Sequence, residues 1–245
     1  YNLTIGKDFL SDEHGYYGLL FDYGSNTVSG AAGSGEYDSY SLGLYAGNKN
    51  KPGSMTGFVS YGLQANKGTA YLPVLGQTAE SGYDSKTLGI GVEYAYDLDY
   101  GKPEELWHVS PYARLNFTHY RQKAFREHGA GVFDRSFGSY SDNYAEGELG
   151  LSFDRSEGTG GYGIRLGYKR ILTGERQLME VCFAEDECGS LLPVRSWGEG
   201  RNHFVAAAYV RHDFSRKWSA GGSLSGDWSN GGREIGARLD LAYHF

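Results

Sequence analysis

The chain has 245 residues, with 38 Gly and 21 Tyr but only 5 Pro and 2 Met, a 40% hydrophobic content and a mean hydropathy of -0.50. No window approaches eighteen consecutive apolar residues, which excludes a transmembrane helix. The net charge of -7, with Lys and Arg dispersed, excludes nucleic acid as a partner. A polar average leaves a transmembrane β-barrel open, because such a strand needs an apolar residue only at every second position.

Strict alternation recurs along the chain, and it marks strands with one apolar face. Residues 2–10 are the weakest case, with Leu3, Ile5 and Phe9. Residues 16–24 align Tyr17, Leu19, Phe21 and Tyr23, and residues 38–48 align Tyr40, Leu42, Leu44 and Ala46. Residues 55–65 align Met55, Val59, Tyr61 and Leu63. The clearest run is 87–98, with Leu88, Ile90, Val92, Tyr94, Tyr96 and Leu98 on one face and Thr87, Gly89, Gly91, Glu93, Ala95 and Asp97 on the other. On a helix these apolar residues would surround the cylinder, so a helix is rejected.

Residues 107–121 follow with Trp107, Val109, Ala113, Leu115 and Phe117, and Pro111 inside the run predicts a bulge. Further strands are expected at 143–154, 161–172, 202–214, 217–228 and 234–245. That makes about eleven strands, most near the nine to eleven residues that cross a bilayer at a tilt.

The faces opposite the apolar ones carry Glu93, Asp97, Arg114, Glu146, Glu148, Arg165, Lys169, Arg211, Asp213, Asp227, Arg238 and Asp240. In a dry soluble core such charges are costly. In a wet lumen they are not, so the apolar faces meet lipid and the polar faces line a bore. A soluble sandwich or lipocalin-like barrel is the competing architecture. Glycines on the polar face (Gly43, Gly89, Gly91, Gly150, Gly167, Gly221 and Gly236) are expected to keep the bore open.

Short links at 11–15, 49–54, 99–106, 155–160 and 215–217 alternate with long ones at 25–37, 66–82, 122–142 and 173–201. Short turns belong to the periplasmic side and long loops to the exterior. By this parity the first strand runs inward from outside. An edge left unpaired there predicts one further strand ahead of Tyr1, about twelve in all. No secretory signal opens the sequence, which reads as a mature or excised fragment.

Cys182 and Cys188, six positions apart in a polar stretch, read as an extracytoplasmic disulfide pinning a loop, with two free thiols as the alternative. They make no zinc site without further ligands. His128 lies near Asp134 and Asp142 in a long loop, so an acid–histidine pair at the outer rim is conceivable, with solvated loop residues as the plain reading. His108, His119, His203, His212 and His244 carry no catalytic spacing. Ser136 to Ser141 lacks a nucleophile elbow. Gly30 to Gly35 is no phosphate loop and reads as a flexible loop. Glu93, Glu146 and Glu148 are either lumen acids able to cut a peptide or partners of Arg114, Arg165 and Arg211; the paired reading is preferred, because a carboxylate needs a raised pKa to act as acid or base. No catalytic residue, cofactor or metal is expected.

The run from Asn2 to Phe245 resembles the C-terminal translocator domain of autotransporters, the type V secretion proteins. Its carriers are Tyr83-Asp84-Ser85-Lys86-Thr87-Leu88-Gly89-Ile90-Gly91, Tyr37-Asp38-Ser39-Tyr40-Ser41-Leu42-Gly43-Leu44-Tyr45, Val109-Ser110-Pro111-Tyr112-Ala113-Arg114-Leu115 and the aromatic-ended Leu239-Asp240-Leu241-Ala242-Tyr243-His244-Phe245. The resemblance implies a single domain over 1–245, an all-β, transmembrane antiparallel up-and-down β-barrel of the Gram-negative outer membrane. Against the family pattern, the lumenal N-terminal helix and the first strand are expected to be missing from it. It implies export and surface anchoring of an N-terminal passenger, with no enzymatic activity in the barrel itself. Leu239, Leu241, Tyr243 and Phe245 would be the signal read by the barrel assembly machinery. That machinery, periplasmic chaperones, the passenger and outer-membrane lipid would be the partners. A diffusion porin or small-solute channel is the alternative function.

Overall fold

A computed structural model of the chain describes residues 1–12, 14–48, 50, 52–98, 107–174, 178–183, 192–195, 200–215 and 217–243. Among them are fifteen strands. Eleven form one sheet: β1 (Asn2–Ser11), β2 (Gly15–Gly30), β3 (Gly33–Asn48), β4 (Gly53–Leu72), β5 (Gln77–Tyr96), β6 (His108–Gln122), β9 (Tyr140–Glu157), β10 (Gly160–Thr173), β13 (Asn202–Asp213), β14 (Trp218–Ser229) and β15 (Arg233–Tyr243). Each pairs antiparallel with its neighbour in that order. Every stretch of alternation in the sequence thus became a strand of this one up-and-down sheet.

The alternation also sorts the two faces. On β5 Leu88, Ile90, Val92, Tyr94 and Tyr96 are all exposed on one face, while Gly91 and Ser85 are buried on the other. The sheet curls toward the second face. Arg165 on β10 reaches Glu93 on β5 at 2.6 Å, although three strand spacings would separate them by about 14 Å on a flat sheet. Only long side chains converging on a concave surface close that gap. The convex face carries aromatic cross-strand pairs near both ends: Tyr23–Tyr40 (5.1 Å) and Phe204–Trp228 (5.9 Å) at one, Phe9–Tyr17 (6.1 Å) and Trp218–Tyr243 (4.8 Å) at the other. These are the girdles of a membrane barrel, where rings meet the polar boundary of the lipid.

Three expectations change. First, 25–37 and 66–82 are not long loops. β2 and β3 pair up to Gly30–Gly33 around a turn at 31–32, and β4 and β5 pair up to Leu72–Gln77 around 73–76. Gly30 to Gly35 is therefore a tight hairpin, not a flexible loop. Above the lipid both sheet faces are wet, so pairing persists after the apolar period has stopped.

Second, 122–142 and 173–201 contain a separate four-stranded sheet in the order β12 (Leu192–Arg195), β11 (Leu178–Phe183), β8 (Arg135–Phe137), β7 (Phe125–Arg126). By the loop-length rule this end is the exterior. Third, Pro111 makes no bulge, because it holds regular register with Leu151 on β9. The Val109 carbonyl accepts from Leu98 N–H, so odd-numbered backbone groups here turn toward β5, whose continuous ladder stops at Ala95–Tyr112. The missing N–H of Pro111 falls just past that end.

The glycines of the concave face have a more specific task than widening the bore. Five lumenal rings each lie across the glycine directly opposite on the next strand: Tyr16 on Gly47, Tyr45 on Gly18, Phe58 on Gly91, Tyr112 on Gly150 and Tyr209 on Gly163. A Cβ at any of these glycines would overlap the ring. The rings lie flat on the wall because the floor beneath has no side chain, and this pins the strand register. Gly91→Val is expected to lower the urea midpoint of the folded barrel, by about 1–3 kcal/mol of overpacking. Adding Phe58→Ala should recover part of that loss, because the two sites share the ring contact while the Asn116 Oδ1 still crowds the new Cβ. Strictly additive losses in the double variant would refute the pairing.

Candidate functional site

The concave face of β5, β6, β9, β10, β13 and β14 carries a belt of charge in two neighbouring groups. Glu93 on β5 is held by two guanidinium groups, Arg114 on β6 at 2.7 Å and Arg165 on β10 at 2.6 Å. Arg114 also lies 3.6 Å from Glu148 on β9. The buried Tyr112 hydroxyl donates to Glu148 at 2.6 Å, while Arg165 stacks over the Tyr112 ring, 3.6 Å from its centroid. Farther toward the exterior Asn116 donates to Glu146 at 2.9 Å, and Lys169 lies 3.9 Å from Glu146 and bonds Asp227 on β14. His203 on β13, buried, contacts Asp227 at 2.6 Å and the Gly200 carbonyl at 3.3 Å.

The strand period explains the assembly: each of these residues sits at an inward position, and register brings Glu93 opposite Arg114, and Arg114 opposite Glu148. Opposite charges therefore meet within hydrogen-bond reach across neighbouring strands, which favours the pair.

Of the positions expected in the lumen, Glu93, Arg114, Glu146, Glu148, Arg165, Lys169 and Asp227 join this belt. Asp97 follows β5, its N–H donating to the Pro52 carbonyl at 2.7 Å. Arg211 does not take a lumen glutamate; it pairs with the exposed Asp213 at 3.1 Å, and Lys169 serves Glu146 instead. The reason is height: Arg211 pairs in register with Gly161 near the inner end of β10, eight residues from Lys169. Arg238 and Asp240 lie on β15, opposite Ser223 and Gly221. Leu239, Leu241 and Tyr243 face outward on β15, with Leu239 91% exposed. Phe245 lies outside the described residues. Tyr112, Asn116 and His203 belong to the belt but were not singled out from sequence; their inward parity on strands already recognised was the available signal.

At the outer mouth the small sheet leans on β5. Tyr83, Phe125 and Phe137 form one stack, with ring centroids 4.3 and 4.4 Å apart. His128 exchanges backbone hydrogen bonds with Glu80 at 2.8 Å. Arg135 forks onto the buried Glu127 carboxylate at 2.7 and 2.6 Å, and Glu127 holds the Arg135 guanidinium above its usual pKa. The conceivable acid–histidine pair is not formed. Asp134 turns its carboxylate to the Ala130 N–H at 2.8 Å, closing the turn around a single 3-10 turn at Gly131–Phe133. Cys182 is buried against β8 and disulfide-bonded; Cys188, the chain's other cysteine, lies outside the described residues. On the convex side above the lipid, Lys123 lies 2.8 Å from Asp84 and holds that carboxyl below its usual range.

The profile of the family described as Autotransporter beta-domain matches residues 1–225. The chain belongs to this autotransporter family. Two solved structures share its fold. One is the translocator domain of the autotransporter NalP from Neisseria meningitidis, 18% identical, with a TM-score of 0.81 over 100% of this chain and 79% of that one. The other is the beta domain of the Bordetella autotransporter Brka, 16% identical, with a TM-score of 0.65 over 100% of this chain and 90% of that one. No curated protein matches by sequence. The autotransporter β-domain is an outer-membrane barrel of Gram-negative bacteria that serves transport.

Removing Arg165 strips Glu93 of one of its two cations, so Arg165→Met is expected to cost about 1–2 kcal/mol in urea unfolding. Arg211→Met, with an exposed partner, should cost under about 0.5 kcal/mol. Equal losses would refute the belt as a structural unit. For Asp84, whose folded pKa is depressed, the pair with Lys123 contributes above the ordinary carboxyl range and is lost as pH falls through the lowered value. Carboxyl NMR should find Asp84 titrating low, and Lys123→Met should move it upward.

Proposed function

We propose that this barrel exports an N-terminal passenger and then anchors it at the cell surface. One observation carries the reading beyond the family: on the concave wall Glu93, Glu146, Glu148 and Asp227 each face a cation from another strand. Where charges are paired in this way, the wall offers hydrogen bonds to a passing peptide with little free charge to trap it. A porin shares this wall, but steady conductance would then be its signature. The barrel assembly machinery and periplasmic chaperones are the proposed partners during insertion. Leu239, Leu241, Tyr243 and Phe245 are the proposed signal.

Closure is part of the proposal. An odd number of up-and-down strands leaves β1 and β15 running the same way, both inward. Direct pairing between them would be parallel. One outward-running strand ahead of Tyr1 would pair antiparallel with both, giving twelve strands, and a lumenal helix before it would fill the bore.

Two measurements test this. A reporter fused ahead of the complete barrel should become accessible to protease on intact cells, and planar-bilayer currents should be small and unsteady. A large steady conductance with the reporter retained inside would favour the channel reading. Deleting Tyr243 to Phe245 should abolish heat-modifiable barrel in outer membranes, and an unchanged amount of folded barrel would overturn the assembly signal.

A further inference from the structure

The convex face of β5 and β6 changes character in regular steps. From the exterior inward, cross-strand neighbours are Lys86 with Arg121, Leu88 with His119, Ile90 with Phe117, Val92 with Leu115 and Tyr94 with Ala113. Lys86 and Arg121 are both exposed and directly opposite each other. Two like charges in that position repel. Among the described residues neither takes an ion pair, and the acid nearest in sequence, Asp84, is engaged by Lys123 at 2.8 Å. His119 contacts Asn143 at 2.9 Å, and Asp84 acts on Lys86 only through space while its direct ionic contact goes to Lys123.

Height along the strand says what meets them. Ten residue steps separate Lys86 from Tyr96, about 34 Å of strand. At a tilt of 35–45° this is about 26 Å of height, close to the roughly 25 Å apolar band of an outer-membrane barrel. With Tyr94 and Tyr96 at the inner boundary, Lys86 and Arg121 stand at the outer one, where lipid phosphates lie. An ammonium and a guanidinium side by side match a phosphate monoester, the guanidinium through paired N–H donors.

We propose that Lys86 and Arg121 form a lipid-facing site for the phosphate of a phosphorylated lipid in the outer leaflet. The lipid phosphate supplies a direct ionic contact to both cations, so a pair that repels in the bare protein becomes attractive in its own membrane. The inference rests on the outer-membrane placement of the barrel and not on passenger export.

The test uses the full-length membrane-inserted protein in phosphatidylcholine vesicles, with and without phosphatidate. Retention of phosphatidate is read by native mass spectrometry, and unfolding by heat-modifiable migration. Wild type should retain phosphatidate preferentially, and Lys86→Gln and Arg121→Gln should each weaken retention about fivefold. Lys67→Gln, an outward cation level with Gly82 and farther out, should leave it unchanged. In pure phosphatidylcholine the Lys86→Gln/Arg121→Gln variant should be at least as stable as wild type, because repulsion is removed; in phosphatidate it should be the less stable of the two. Equal loss on Lys67→Gln, no loss in the double variant, or displacement of the lipid by equimolar inorganic phosphate would each overturn the proposal. If the glutamine variants fail to insert, Lys86→Arg/Arg121→Lys must keep retention; its loss would likewise refute the site.

Discussion

A backbone amide in hydrocarbon has no water to bond, and leaving it unpaired costs several kcal/mol. A chain that crosses lipid as strands must therefore pair every strand on both sides. This constraint accounts for the unbroken antiparallel order from β1 to β15 and for the regular register through Pro111, whose missing donor falls where the ladder on that side has ended. It also bears on the two outer edges, β1 and β15, which run the same way and leave room for one antiparallel neighbour.

Once the sheet is fixed, its two faces solve opposite problems. The convex face needs only to be apolar between two aromatic girdles, so its side chains stand exposed and make few contacts with one another. The concave face is crowded by curvature, and there contacts become specific. Rings settle over glycines directly opposite, and carboxylates from β5, β9 and β14 meet cations from β6 and β10. The same curvature lets Arg165 reach Glu93 across two intervening strands. Glu93, Glu146, Glu148 and Asp227 face cations, which leaves that part of the wall polar with its charges paired.

Beyond the lipid the constraints relax. Strands extend as hairpins with polar residues on both faces, and two connections fold into a small sheet held by the Tyr83–Phe125–Phe137 stack, the Arg135–Glu127 fork and a disulfide at Cys182. These elements carry no two-residue hydrophobic rhythm, because neither of their faces meets hydrocarbon. That is why 25–37 and 66–82 read as loops and the sheet of β7, β8, β11 and β12 was invisible.

The sequence by itself determined the eleven strands, which side chains face lipid and which face the bore, and the kinship with autotransporter barrels. All of these follow from parity, since in lipid a residue shifted by one position would expose a charge such as Glu93 to hydrocarbon. Parity carries no information about height or curvature. Only the tertiary structure decided that Arg211 sits too near the inner end to serve Glu146, that Lys169 takes its place, that His203 joins Asp227, and that Asp134 caps a turn instead of meeting His128. Those outcomes depend on strand stagger and on the bend of the wall, which arise from many cross-strand pairings acting together and are written in no single stretch of chain.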